Sequence, residues 1–330
     1  MTYLNKPLQI GNLTLFNRLI MPPMATSKGQ EDGKISKAVL EYYNEKSKGG
    51  DISLIIIEHS FINQQGKASN QQLSVAEDSV VEGLSELADI VHNNGSKVVM
   101  QINHAGSAAK NEVTGLEVVG PSAIFNPRLG SVPIELNDVG IKHIIKSFKD
   151  AAVRVKAAGF DGVEIHSAHG YLLNQFFSPL TNKRQDQYGG DVHNRIRIHL
   201  EIIKEVREAV GEDFLILLRL GASDYMEGGT TIEDSKIAVK EFEKAGVAIL
   251  DISGGFNGFT VPGFVGKAYF ESLTEAIKEV VSIPVILTGG ITEVQVAEEL
   301  LMEGKADLIG VGRSIYNDST WAKKAIESFR

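Results

Sequence analysis

The feature that most constrains the fold of this chain is a repeated alternation of two kinds of segment. A short apolar run rich in β-branched residues is followed each time by a longer amphipathic run with helical spacing. Unbroken apolar runs are typical of strands that are buried on both faces of a parallel sheet. Eight strands are predicted on this basis, at residues 18–21, 52–58, 97–102, 162–166, 216–220, 249–253, 284–288 and 308–311.

The amphipathic runs between the strands predict helices. Several runs end on a glycine, among them Gly95, Gly159 and Gly246, and glycine most easily takes the left-handed conformation that ends a helix. The clearest helices are predicted at residues 36–48, 80–94, 139–158, 195–210, 232–245, 270–281, 294–303 and 320–328.

An eightfold alternation of strand and helix favours an α/β fold of the (β/α)8 TIM-barrel type. An open doubly wound sheet is the alternative, but no Gly-x-Gly-x-x-Gly motif follows an early strand. Because no linker divides the chain, residues 1–330 are predicted to form a single domain. Residues 8–15 predict an N-terminal β-hairpin, and the long loop after the third barrel strand, residues 103–137, is expected to overhang the catalytic face.

Composition excludes several kinds of site and partner. The sequence has no cysteine, which excludes disulfides, thiolate nucleophiles and Cys-ligated iron–sulfur or zinc sites. A net charge of −9 argues against nucleic-acid and anionic-membrane partners. No apolar run approaches the ~20 residues of a membrane span, and the first residues lack the pattern of a signal peptide. We therefore expect a cytoplasmic protein.

Chemistry in such a barrel takes place at the carboxyl ends of the strands. The fourth strand is followed by His166, His169 and Tyr171, the densest group of functional side chains in the chain. Imidazoles can donate hydrogen bonds to a carbonyl or phenolate oxygen, and a tyrosine can deliver a proton. A helix start with polar capping is an alternative. A metal site is another, but no suitably spaced carboxylate or further histidine supports it, and no metal is predicted.

Gln101 and Arg219 end two other strands. A buried amide suits the edge of a planar heterocycle, although a structural amide is an alternative. An arginine that closes an apolar strand costs desolvation unless an anion or an electron-rich group meets it. A salt bridge at the barrel mouth to a carboxylate such as Glu164 is the alternative for Arg219.

Glycines follow the last two strands. Gly289 and Gly290 follow the seventh strand, and Gly312 precedes Arg313 after the eighth. Glycines that lead into helix N-termini expose backbone N–H groups to a phosphate, and an arginine adds positive charge. Residues 253–255 can join the same patch. The pattern predicts a phosphate-anchored cofactor whose heterocycle lies over the barrel mouth, but it does not identify that cofactor.

Taken together, these motifs resemble one known family. The chain resembles the old yellow enzyme family of FMN-dependent NAD(P)H:flavin oxidoreductases, or ene-reductases, over its whole length, and the fold of that family is the TIM barrel. The resemblance rests on the motifs at residues 17–24, 101–106, 164–179, 184–190, 194–195 and 307–313.

The resemblance implies FMN as the cofactor, with NADH or NADPH as the hydride donor. Gln101 would bond the pyrimidine edge of the flavin, and Arg219 would lie near N1 and O2, where reduction builds negative charge. Pro22, Pro23, Met24, Ala25 and His59 would lie beside the ring. The implied phosphate-binding residues are Gly289, Gly290, Gly312 and Arg313.

The resemblance also implies a catalytic trio and a reaction. His166 and His169 would hold the carbonyl oxygen of a small-molecule substrate, an enone, a quinone or a similar compound. The flavin N5 would then deliver a hydride to an α,β-unsaturated carbonyl, while Tyr171 protonates Cα. NAD(P)H oxidase, quinone reductase or nitro reductase activity on the same barrel remains an alternative, as does a non-catalytic barrel that binds FMN or a phosphorylated metabolite.

The sequence departs from the pattern of the family in several places. Ala25 stands where members often have Cys or Thr against the flavin, which leaves open whether Thr26 supplies a hydroxyl instead. Ser107 stands where many relatives have Arg. The motif around residues 22–26 resembles the multidomain branch that carries an iron–sulfur cluster and a second flavin domain. Without cysteine, and with the chain ending at residue 330, we expect a stand-alone barrel that NAD(P)H reduces directly. The resemblance also favours a homo-oligomer.

Overall fold

A computed structural model describes residues 2–127 and 130–328. Eight parallel strands form a closed barrel, which confirms the predicted TIM-barrel fold. The strands are β1 Leu8–Ile10, β2 Leu13–Leu15, β3 Leu19–Met21, β4 Leu54–Phe61, β5 Lys97–Asn103, β6 Val119–Gly120, β7 Ile134–Glu135, β8 Gly162–Ser167, β9 Leu215–Gly221, β10 Ile249–Ser253, β11 Val285–Thr288 and β12 Leu308–Gly310. The barrel runs in the order β3, β4, β5, β8, β9, β10, β11 and β12, and β12 pairs with β3 to close it.

The helices surround the barrel as the alternation predicts. They are α1 Lys37–Ser47, α2 Val81–Asn93, α3 Asn111–Thr114, α4 Asp138–Ala157, α5 Leu172–Phe177, α6 Val192–Arg195, α7 Arg197–Val210, α8 Ile232–Lys244, α9 Glu271–Lys278, α10 Val294–Met302, α11 Arg313–Asn317 and α12 Trp321–Glu327. Gly95, Gly159 and Gly246 have positive φ angles of 97°, 85° and 101°, as predicted for residues that end helices.

Two predicted elements have different bounds in the structure. The predicted helix at residues 195–210 is two helices, because Ile196 departs from helical geometry with a φ of −92° and a ψ of −2° between α6 and α7. The second predicted strand continues past Glu58, since a register shift between Ile57 and Ser60 lets β4 keep its pairing with β5. This extension places His59 at the open end of the barrel.

Side chains inside the barrel change from apolar to polar along the strands. The apolar interior residues are Ile20, Leu54, Ile56, Val99, Leu215, Leu217, Ile249, Ile286 and Leu308. Because side chains of a strand alternate between its two faces, the next inward positions are Gln101, Arg219 and Asp251. All three are buried. The interior is therefore a packed apolar plug that carries polar groups only near its carboxyl end.

The predicted hairpin is confirmed, and it covers the opposite end of the barrel. β1 and β2 pair antiparallel with Leu8 opposite Leu15, and Gly11 takes a φ of 54° in the turn. Ile10 and Leu15 belong to the same apolar cluster as the barrel interior. The hairpin thus closes the amino-terminal end of the strands and leaves the carboxyl end open.

The expected overhang of residues 103–137 on the catalytic face stays a prediction; Arg128 and Leu129 lie outside the described residues. The loop folds into a 3-10 turn, α3 and the two-stranded sheet β6–β7. It packs on α5, where the backbone N–H of Ser107 donates to Gln175 Oε1 at 2.9 Å. None of the described residues of this loop lines the cavity at the carboxyl end of the barrel.

Within the described residues, no helix combines the length and the apolar character needed to cross a bilayer.

Candidate cofactor and active site

The carboxyl end of the barrel holds a cavity of about 490 Å³, within the usual range for a site that binds a small molecule or a cofactor. Fourteen residues that the sequence predicted for the site line this one cavity. They are Pro22, Pro23, Met24, Ala25, His59, Gln101, His166, His169, Tyr171, Arg219, Gly289, Gly290, Gly312 and Arg313. The structure therefore brings together side chains that lie up to nearly 300 residues apart in the sequence.

One wall of the cavity follows β3 and is apolar. Met24 packs against Gly312, where a Cβ atom would lie 2.8 Å from the Met24 sulfur. Next to Ala25, the hydroxyl of Thr26 donates to Glu58 Oε1 at 2.6 Å, and its backbone N–H donates to Glu58 Oε2 at 2.8 Å. The Thr26 hydroxyl is thus engaged by a buried carboxylate, and the wall presents the methyl group of Ala25.

Gln101 lies directly opposite Glu164 in the barrel register. Its side-chain N–H donates to Glu164 Oε2 at 2.6 Å, which leaves the amide oxygen of Gln101 to accept a hydrogen bond from the cavity side. Burial, together with the nearby Asp251, raises the pKa of Glu164 to about 8. Gln101 is therefore at once a structural amide and a cavity residue.

Arg219 has a carboxylate partner, but it is Asp251 rather than Glu164. Nε of Arg219 lies 3.2 Å from Asp251 Oδ2, and the two residues face each other across β9 and β10. Both side chains are buried, and burial raises the pKa of Asp251 despite the guanidinium beside it. Glu164 and Asp251 share this one cation, and burial favours the neutral form of each carboxyl group. The guanidinium of Arg219 therefore already lies beside a carboxyl group before any ligand binds.

His166, His169 and Tyr171 form a compact aromatic group. The ring centroids of His166 and His169 are 5.1 Å apart, and those of His166 and Tyr171 are 5.2 Å apart. His59 joins from β4, with its ring 5.7 Å from that of Tyr171. Tyr171 precedes α5 but does not cap the helix with its side chain, so the alternative of a polar helix cap does not explain this group.

Burial favours the neutral form of two histidines of this group, His166 and His59. Burial lowers the pKa of His166 well below its ordinary value, and it lowers the pKa of His59 to about 4. A ring nitrogen of His169 lies 2.7 Å from the hydroxyl of Ser253, and the residue holds a left-handed φ of 61°. A neutral imidazole keeps one N–H donor, so His166 can donate to an oxygen atom without carrying charge.

The structure gives no support to a metal site in the part of the chain that it describes. No three histidine, aspartate or glutamate side chains there are grouped in a way that could hold a metal ion.

The glycines at the far end of the cavity are packed closely by neighbouring side chains. A Cβ at Gly289 would lie 2.6 Å from the Tyr269 ring, and one at Gly290 would lie 2.7 Å from it. Arg313 begins α11 and donates to the Tyr269 hydroxyl oxygen at 3.1 Å. This end combines a cation with glycine backbone that lines the cavity, a combination that suits an anionic group.

Of residues 253–255, expected to join this patch, only Ser253 lines the cavity among the described residues. Gly254 and Gly255 serve backbone packing instead. A Cβ on Gly255 would collide with Asp224, and one on Gly254 would collide with the backbone of Gly258.

The loop between β10 and α9 supplies cavity residues that the sequence reasoning missed. Phe259 stands edge-on to His169 at 6.2 Å between ring centroids, and Tyr269 and Phe270 close the loop beside the glycines. The signal was present, because residues 254–270 form a long, glycine-rich βα connection with several aromatic residues.

These residues fit FMN. The cavity has a cation and glycine backbone at one end, an amide and a guanidinium along one edge, and an apolar wall. A flavin needs these three surroundings for its phosphate, its pyrimidine edge and its ring.

Comparison with known proteins gives the same result. The profile of the NADH:flavin oxidoreductase / NADH oxidase family matches residues 3–329. An NADH oxidase of Thermoanaerobacter brockii is 45% identical over 97% of this chain, which covers 50% of that protein. An NADPH dehydrogenase of Bacillus subtilis is 38% identical over 97% of this chain and 93% of its own length. The chain thus spans about half the length of the first relatives that it matches.

Among solved structures, an old yellow enzyme homologue from Zymomonas mobilis superposes with a TM-score of 0.86 and 27% identity, over 99% of this chain and 93% of its own. The chain therefore belongs to the NADH:flavin oxidoreductase / NADH oxidase family, the old yellow enzyme family, and its cofactor is FMN.

Proposed function

We propose that this protein is an NAD(P)H-dependent flavin oxidoreductase that reduces the activated C=C bond of an α,β-unsaturated carbonyl. The observation that carries the proposal is the group of His166, His169 and Tyr171, which lines the same cavity as the residues fitted to FMN. Bound FMN would take a hydride from NAD(P)H and pass it to the β-carbon of the substrate.

The side chains of this chain bind the substrate, supply a proton and exclude water. His166 and His169 donate to the substrate carbonyl oxygen. Because burial keeps the pKa of His166 well below its ordinary value, the bond from His166 does not depend on pH near neutrality. Tyr171 holds the proton that passes to Cα. The apolar wall at residues 22–25 and the ring of Phe259 exclude water from the reacting carbons.

Tyr171→Phe is expected to slow enone reduction by about a hundredfold or more, because the proton donor is lost. Reduction of the bound flavin by NAD(P)H should not change, since that step needs no proton from Tyr171. Stopped-flow spectroscopy of the holoenzyme measures the two half-reactions separately. Tyr316→Phe, which removes a hydroxyl outside the cavity, is the matched control. Equal enone turnover in the two variants would remove Tyr171 from this role.

A second candidate function is NADH oxidase activity. One comparison favours it, because a relative from Thermoanaerobacter brockii is named an NADH oxidase. The same stopped-flow experiment, with reduced holoenzyme offered an enone, a quinone, a nitroarene or oxygen, separates the candidates. Rapid oxidation by oxygen or a quinone, without oxidation by the enone, would select the second function. Purified protein that binds no flavin would contradict both.

Three further expectations stay predictions: that residues 1–330 form one domain, that the protein is cytoplasmic, and that it is a homo-oligomer. Limited proteolysis, cell fractionation and sedimentation test them in turn.

A further inference from the structure

Tyr269 occupies a position that no part of the proposed reaction requires. It ends the loop between β10 and α9, and its ring lies over the backbone of Gly289 and Gly290. Any side chain at either glycine would lie within 2.7 Å of that ring. The two glycines are therefore needed to admit the tyrosine, and the tyrosine is held in place at the end of the cavity.

The hydroxyl of Tyr269 is oriented by a cation. Arg313 Nη2 lies 3.1 Å from the Tyr269 oxygen. A guanidinium has only donors, so the phenol oxygen accepts this bond and keeps its own O–H to donate elsewhere. The other cavity arginine, Arg219, is paired with Asp251, whereas Arg313 makes no ion pair with a carboxylate within residues 2–127 and 130–328. An uncompensated guanidinium next to a phenol donor is a site for an anion.

We propose that the Tyr269 hydroxyl is a further donor to the phosphate group of FMN, beside Arg313, which the family resemblance already implies at that phosphate. The inference rests on the proposed function only through the cofactor. Arg313 supplies the charge, and Tyr269 supplies a second donor that the arginine itself positions. Such a pair distinguishes FMN from riboflavin, which has the same ring and ribityl chain but no phosphate.

The experiment measures flavin affinity, with no turnover. Full-length protein stripped of flavin is titrated with FMN and with riboflavin by fluorescence quenching, in wild type, Tyr269→Phe and the control Tyr316→Phe. Tyr269→Phe keeps the ring that covers the glycines and removes only the oxygen. We expect about a tenfold weaker FMN affinity and an unchanged riboflavin affinity, as for the loss of one hydrogen bond to a charged group. Tyr316→Phe should match wild type for both flavins.

Competition by inorganic phosphate tests whether the site binds the phosphate group itself. Phosphate should compete with FMN but not with riboflavin in wild type, and its competition should weaken in Tyr269→Phe. Unchanged FMN affinity in Tyr269→Phe would overturn the proposal. So would an equal loss for FMN and riboflavin, which would show that Tyr269 only packs the loop. Wild-type protein that binds riboflavin and FMN equally well would overturn the phosphate site, whereas protein that binds neither flavin would refute the cofactor and the proposed function.

Discussion

At the scale of single residues, the polar end of the barrel holds one guanidinium, that of Arg219, and two carboxyl groups. Arg219 faces Asp251 at 3.2 Å, and Glu164 lies on the neighbouring strand with one carboxyl oxygen bonded to Gln101. Negative charge that develops near Arg219 therefore meets a guanidinium that already lies beside the carboxyl group of Asp251. The protonation of Glu164 decides how much of the field of the arginine remains available.

Glu164 should make the protein less stable as pH rises from about 5 to 8. Its pKa is about 8 in the folded state against an ordinary 4.5, so over this range the folded state holds a proton that the unfolded state has lost. Stability then falls by up to about 1.4 kcal/mol per pH unit. Glu164→Gln removes this slope, while its amide oxygen can still accept from Gln101.

Urea unfolding at pH 5.5 and 7.5, at equal flavin saturation, measures this difference. The exposed Glu86→Gln is the matched control and should keep the wild-type slope. An identical slope in Glu164→Gln and wild type would show that Glu164 titrates normally.

Sequence reasoning reached Gln101 and Arg219 because a polar residue that ends a buried strand is conspicuous. It did not reach Asp251 as the partner of Arg219. Asp251 lies within an apolar run, and only the register of β9 against β10 places the two residues opposite each other. Registers in a barrel depend on closure of the whole sheet, which no local pattern contains.

At the scale of elements, two long βα connections differ in what they supply to the cavity. Among the described residues, the shorter connection contributes to the lining and the longer one does not. Residues 103–137 are long enough to cover the cavity, but those that the structure describes pack on α5 and do not line it. The loop between β10 and α9 supplies Phe259 and Tyr269 to the cavity instead. The length of each loop could be read from the sequence. The course of each loop could not, because it depends on which helix the loop packs against.

A substitution at Gly255 tests whether the glycines after β10 are needed for packing or for binding a phosphate. A Cβ there would collide with Asp224, whose carboxylate accepts from Ser178, Thr230 and Phe256. Gly255→Ala should therefore cost about 2 kcal/mol of folding stability through overpacking. The ratio of FMN to riboflavin affinity should not change. Urea unfolding and flavin titration measure the two effects, and a normal stability with a selective loss of FMN affinity would contradict this assignment.

At the scale of the whole molecule, the two ends of the barrel separate stability from chemistry. The open carboxyl end holds the cavity, whereas the β1–β2 hairpin closes the other end, with Leu15 fully buried against the interior apolar cluster. Both assignments could be predicted from the sequence, since the hairpin pattern precedes the first barrel strand and the candidate site residues follow the strands. Because several layers of Leu and Ile lie between the two ends, we expect a change confined to the hairpin end to leave the cavity residues in place.

Leu15→Ala tests this separation. The substitution removes buried methyl groups in a closely packed interior and should lower the free energy of unfolding by about 2–5 kcal/mol. The affinity for FMN and the rate of flavin reduction by NAD(P)H should stay at wild-type values, because the truncated side chain lies beyond the apolar plug from the cavity. Urea unfolding measures the first quantity, and titration with stopped-flow spectroscopy measures the others at a temperature where both proteins are folded. A loss of FMN affinity in Leu15→Ala comparable with its loss of stability would show that the ends are coupled, and the barrel interior would then have to transmit strain over its full length.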